Sequence, residues 1–130
     1  MVGIVLVSHS AKLAAGLQDL VEQLAQGRAH VEAAGGVADG ALGTDAAAIA
    51  EAIRRADQGE GVAVLMDLGS AVLSAETALD LLPADWRPRV ALCDAPMVEG
   101  AVAAAVEASL GSPLAAVRRA AEEARELRKL

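Results

Sequence analysis

His9 stands between an apolar run, Gly3-Ile4-Val5-Leu6-Val7, and a stretch of helical periodicity that starts just after Ser8-His9-Ser10. A strand-to-helix turn exposes the first unpaired amides of the helix and the positive end of its dipole, and so favours an anion in the turn. A neutral imidazole attacks a phosphoryl group near pH 7 without a strong base, and the N–P bond it forms stays transferable. His9 is therefore a candidate phosphoryl acceptor, with a surface or capping histidine as the alternative.

The same pattern recurs further along. Val62-Ala63-Val64-Leu65-Met66 runs into Asp67-Leu68-Gly69-Ser70, which again delivers a polar group to the start of a helix. In open α/β sheets, ligands bind beyond the carboxyl ends of the strands, where strand order reverses. If the strands before His9 and Asp67 are neighbours, their ends lie about 5 Å apart, within side-chain hydrogen-bonding reach. Asp67 then holds one imidazole nitrogen, fixes the tautomer and leaves the other nitrogen as nucleophile; its alternative role is a helix N-cap. Phosphoryl transfer asks mainly for alignment and for donors around three oxygens. The hydroxyls of Ser8, Ser10, Thr44 and Ser70 and the amides around Gly69 are the candidate donors, and no arginine stands in these motifs.

The elements that must position these groups alternate strand with helix, which predicts an α/β fold: an open, mainly parallel sheet of four to five strands with helices on both faces. Leu13, Leu17, Leu20, Val21 and Leu24 recur at helical spacing and Gly27 ends the run. His30-Val31-Glu32-Ala33-Ala34 reads as a second strand, followed by a glycine-rich loop from Gly35 to Gly43, a Thr44-Asp45 cap and a helix through Ile49 and Ile53. After the third strand, Val72, Leu73, Leu79 and Leu82 line another helix, and Pro83 to Pro88 break the chain. Arg89-Val90-Ala91-Leu92-Cys93 forms a fourth strand. Ala95-Pro96-Met97-Val98-Glu99-Gly100 leads into an alanine-rich helix that Gly111 closes. Ser112-Pro113 caps a last one, with Leu114, Val117, Ala121 and Ala124 on one face and Arg118–Glu122 and Arg119–Glu123 four apart on the other.

Composition narrows the function. A chain of 130 residues with a 55% apolar fraction predicts one domain over residues 1–130 with a sizeable core. No apolar run reaches the roughly 18 residues that span a bilayer, and the first residues lack the basic region and cleavage site of a signal peptide, so the expectation is a soluble cytoplasmic protein off the membrane. Cys93 is the only cysteine, which removes an internal disulfide and a metal-binding cysteine pair; no metal and no cofactor are expected. A net charge of −7 and a single aromatic residue, Trp86, argue against nucleic-acid binding, which needs basic surface and stacking platforms.

Val7-Ser8-His9-Ser10, Gly43-Thr44-Asp45, Asp67-Leu68-Gly69-Ser70 and Ala95-Pro96-Met97-Val98-Glu99-Gly100-Ala101, in this order and spacing, resemble the phosphotransferase subunit of bacterial phosphoenolpyruvate-dependent dihydroxyacetone kinase. The resemblance covers nearly the whole chain and implies the fold of the mannose-type IIA domains of the sugar phosphotransferase system. It implies that His9 accepts a phosphoryl group from the histidine-containing phosphocarrier protein and passes it to ADP on the nucleotide-binding kinase subunit. The regenerated ATP then phosphorylates dihydroxyacetone on a third subunit. It also implies a homodimer, to which the alanine-rich and charged C-terminal helices contribute. Some relatives carry phosphocarrier and enzyme I-like domains behind this one; ending at Leu130, this chain is expected to be a single-domain form. Sugar-transporting relatives usually show glycine after the histidine and a longer glycine-serine-proline segment after the third strand. Ser10 and Asp67-Leu68-Gly69-Ser70 stand here instead and favour the kinase branch. The alternatives are a mannose-type IIA component of a sugar transporter and a non-catalytic regulatory module.

Four other features carry less. His30 has no acidic or cysteine partner at ligand spacing and reads as structural or exposed. Cys93, without an adjacent base, reads as a small core residue. The glycine-rich loop lacks the lysine and spacing of a P-loop and reads as a rim of the site. Glu99 reads as a partner of the helix dipole.

Overall fold

The computed structural model describes residues 1–130. Four parallel strands form one sheet: β1 (Gly3–Ser8), β2 (Val31–Gly35), β3 (Val62–Met66) and β4 (Val90–Leu92), in the order β2-β1-β3-β4. The helices are α1 (Ala11–Leu24), α2 (Ala46–Ala56), α3 (Gly69–Asp80), α4 (Met97–Ser109) and α5 (Leu114–Glu123). The expected α/β class stands, with four strands. None of the helices is long and apolar enough to cross a membrane.

Both faces of the sheet are covered, which is why β1, β3 and β4 read as apolar runs, whereas β2, at the edge, carries Glu32 and is mostly half-buried. The pleat divides them: Ile4, Leu6 and Leu65 pack with α1, α4 and α5 on one face, while Val5, Val7, Val64 and Met66 pack with α2 and α3 on the other. Alanine on the helices keeps these layers close. At Gly3 the approach is tightest, because a Cβ there would lie 2.1 Å from the carbonyl oxygen of Ala56.

The structure corrects several details. Leu13, Leu20 and Leu24 are half exposed, and α1 instead buries Ala14, Leu17 and Val21. Leu73 is likewise on the surface, 65% exposed. The fourth strand is only Val90–Leu92: Arg89 ends a 3-10 turn (Ala84–Arg89), stacks over Trp86 and pairs with Asp57. Cys93 lies just beyond the strand, although its amide still donates to Val64 O at 3.0 Å. The last helix has Pro113 as its N-cap with no side-chain cap, and of its two expected ion pairs only Arg118–Glu122 forms, at 3.3 Å.

The chain leaves β1 for β2 on one side and returns to β3 on the other, so strand order reverses between β1 and β3. Val7 pairs with Met66 at the ends of these strands. The next residues on each, Ser8-His9 and Asp67, therefore meet at the switch point.

Candidate functional site

Ser8 is the last residue of β1 and Ser10 is the N-cap of α1, with extended backbone and its Oγ accepting from the Leu13 amide at 3.2 Å. His9 is fixed between strand and cap. On the facing strand, the Asp67 amide donates to Val7 O at 3.1 Å, which continues the ladder one step and places the carboxylate under the imidazole.

Four donors saturate that carboxylate. Oδ2 accepts from the Ser8 hydroxyl and the His9 amide, both at 2.9 Å, and Oδ1 accepts from the Leu68 amide at 2.7 Å and from His9 Nδ1 at 2.9 Å. Burial raises the Asp67 carboxyl, but the His9 amide and ring, the Ser8 hydroxyl and the Leu68 amide outweigh it and hold the group below its ordinary value of 3.8. A carboxylate only accepts, so the bond at Nδ1 fixes the ring proton there and leaves the Nε2 lone pair free. Nε2 lies 2.6 Å from Ser70 Oγ, which donates to it. Asp67 is not a helix cap: the N-cap of α3 is Leu68, and no side chain caps that helix.

Ser8 departs from its expected place around a phosphoryl group. It is the one buried polar residue, its proton goes to Asp67, and its oxygen accepts from the Ser10 amide at 3.0 Å. Its contact is with the carboxylate. Gly69 and Ser70 open α3, and a Cβ on Gly69 would meet nothing within 4 Å, so the space beside them is open. Thr44 precedes α2 and shares a 2.5 Å hydrogen bond with Ser74 of α3, a residue that sequence reasoning misses. Its only signal is its position four after Ser70, on the same helix face. The glycine-rich loop borders the site, since the Gly43 amide donates to His9 O at 2.8 Å and the Gly36 amide to Ser8 O at 3.2 Å.

A cleft of about 460 Å³ adjoins Asp67 and Gly69, walled by Leu68, Val72 and Leu92 and by the carboxylates of Glu76 and Asp94, and no cationic side chain lines it. Cys93 reaches this wall, but burial and the nearby Glu122 push its thiol up to about 11, so it stays protonated. Glu99 lies in the first turn of α4, as a dipole partner does, and pairs with Lys129 at 3.0 Å. His30 Nε2 is 3.9 Å from Glu32, far from these strand ends at the start of β2.

Residues 3–118 match the EIIA-man family, the PTS system fructose IIA component. The chain is 45% identical to the phosphoryl donor subunit DhaM of PEP-dependent dihydroxyacetone kinase 2 from Listeria innocua, over 87% of this chain and 90% of that protein. It is 45% identical to the phosphoryl donor subunit DhaM from Providencia stuartii over 95% of this chain but only 27% of that longer protein. The phosphotransferase subunit DhaM of the PTS-dependent dihydroxyacetone kinase from Lactococcus lactis is 30% identical, over 93% of this chain and 94% of that one. Among solved structures, the crystal structure of the unknown-function protein EF1359 superposes with a TM-score of 0.83 at 39% identity, covering 92% of each chain.

Proposed function

The chain belongs to the EIIA-man family, among the phosphoryl donor subunits of dihydroxyacetone kinase, and on that basis we propose that it is a phosphoryl carrier working through His9. The observation that carries the proposal is the ring itself. Nδ1 is held by a fully hydrogen-bonded carboxylate, and Nε2 faces the uncapped start of α3.

His9 Nε2 attacks the phosphorus of a phosphohistidine on the histidine-containing phosphocarrier protein. The new N–P bond forms as the donor's N–P bond breaks, and the imidazole gains positive charge that Asp67 stabilises. Ser70 Oγ turns from Nε2 to a phosphoryl oxygen, and the positive end of α3 at Gly69 faces the group. Ser10 and Thr44 complete the rim. In the second step the β-phosphate of ADP, held on the nucleotide-binding kinase subunit, attacks the same phosphorus, which gives ATP and frees His9. With no arginine in these motifs to clamp it, the phosphoryl group is held loosely enough to move on. The relatives' common role as dihydroxyacetone kinase subunits supports ADP on a kinase subunit as acceptor, ahead of a sugar transporter.

The protein is proposed to work in the cytoplasm as a homodimer. An apolar strip along α4, with Val98 and Val106 44% and 43% exposed and Leu127 beside them, supports α4 as the contact. Phosphorus-coupled NMR of ring-labelled protein tests the first step: the phosphoryl group is expected on Nε2 of His9, and a phosphoryl group on Nδ1 or on any other residue contradicts the mechanism.

A further inference from the structure

Asp67 Oδ1 lies 2.9 Å from His9 Nδ1, and His9 Nε2 lies 2.6 Å from Ser70 Oγ. An acceptor-only carboxylate, a ring with its proton on Nδ1, and a hydroxyl donating to the free Nε2 make up the resting hydrogen-bond set of a serine nucleophile with its base and orienting acid. The three residues reach it in the chain order His9, Asp67, Ser70, from the ends of β1 and β3 and the first turn of α3. Ser70 is exposed, so an electrophile can reach its oxygen. Two further observations bear on a ligand. No side chain caps α3, so the positive end of its dipole stands beside Ser70 Oγ, where negative charge develops on an attacked carbonyl. The cleft that reaches Asp67 and Gly69, beside Ser70 and not over its hydroxyl, is walled by Leu68, Val72 and Leu92, with Glu76 and Asp94 at its edge, a lining that suits an uncharged, largely apolar group.

We propose that, when His9 carries no phosphoryl group, Ser70 is an activated nucleophile that takes acyl groups from small neutral esters. Ser70 Oγ bonds to the carbonyl carbon as its proton passes to His9 Nε2. The imidazolium then gives that proton to the leaving alcohol as the ester C–O bond breaks, leaving acyl-Ser70. A water, losing its proton to Nε2, attacks the same carbon, releases the acid and restores the Ser70 hydroxyl. Ser70 and His9 are the catalytic residues and Asp67 positions the ring. A phosphoryl group on Nε2 removes the base, so the two chemistries exclude one another at this site.

The test is covalent labelling of the full chain with a fluorophosphonate, followed by peptide mapping. Mapping the adduct to a residue is required because the His9 imidazole is itself a nucleophile toward phosphorus as well as toward acyl carbon. The expected result is one adduct, on Ser70, absent in Ser70→Ala and formed about 10²- to 10⁴-fold more slowly in His9→Gln, the range a general base contributes. Asp67→Asn is expected to give a comparable loss, because an amide in its place turns the ring to the other tautomer, with circular dichroism used to check that both variants are folded. An adduct on His9, adducts spread over the other serines, no adduct, or an unchanged rate in His9→Gln overturns the proposal. An adduct on His9 overturns this inference while agreeing with the carrier function, and the other outcomes leave phosphoryl labelling of His9 untouched, so the two fail separately.

Discussion

Asp67 does its work by being unable to do anything else: all of its lone-pair directions are engaged, and the proton on His9 Nδ1 has nowhere to go. Replacing it with asparagine keeps the shape but offers an N–H to Nδ1, which moves the ring proton to Nε2 and removes the nucleophile. Asp67→Asn is therefore expected to slow phosphoryl labelling roughly 10²- to 10⁴-fold, read from initial rates, while circular dichroism stays native. The carboxyl's lowered titration also ties stability to pH. A group whose folded value lies below its unfolded one contributes stability that is present above the unfolded value, here 3.8, and is lost as pH falls through the lower folded value. Urea unfolding is expected to show the gap between the native chain and Asp67→Asn closing as the pH drops through that window; a gap independent of pH contradicts it. His9 and Asp67 are legible in the sequence because each follows an apolar strand directly, and placement at a strand end is a local property. The hydroxyls are not. Ser8 looks like a ligand of phosphate, yet the closeness of β1 and β3 turns it onto the carboxylate, and the Thr44–Ser74 bond joins residues that are neighbours only in the folded chain.

Among the elements, many of the helix residues packed on the sheet are alanine, and two glycines of opposite character test this packing. Gly3→Ala places a Cβ 2.1 Å from the Ala56 carbonyl oxygen, so β1 or α2 must shift, and a loss of about 1–3 kcal/mol in chemical denaturation is expected. Gly16 sits inside α1, where an added methyl would meet nothing within 4 Å, so Gly16→Ala is expected to stabilise by about 0.5–1 kcal/mol through helix propensity alone. Equal effects of the two substitutions would contradict this packing. Element order and type are readable because buried parallel strands are continuous apolar runs between helical periods. Two features resist. The apolar stripe of α1 is wider than the face that meets the sheet, so Leu13, Leu20 and Leu24 look like core and lie at its exposed edge. The fourth strand reads too long in the sequence because Arg89 and Cys93 flank an apolar triplet, and only the pairing of Val90 to Leu92 with Val62 to Val64 marks where the ladder stops.

For the whole molecule, two cores lie back to back on a single sheet, and the switch point between β1 and β3 is where a chain of this order brings two strand ends and a fresh helix together. The site proposed to carry the phosphoryl group lies at that point, and the α4 strip proposed for dimerisation belongs to the helix layer on one face. A charge there is expected to separate copies without harming the site: Val106→Glu should sediment as a monomer and still accept phosphate, whereas an unchanged sedimentation coefficient would remove α4 from the contact. The central claim concerns passage of a phosphoryl group through one nitrogen. The direct measurement is transfer of isotope-labelled phosphate from phosphoenolpyruvate, through enzyme I and the phosphocarrier protein, onto this chain and onto His9→Ala, followed by addition of the kinase subunit loaded with ADP. A carrier working through His9 predicts label that requires this residue and then appears in ATP. Label that persists in His9→Ala, or a chain that never takes label, contradicts it.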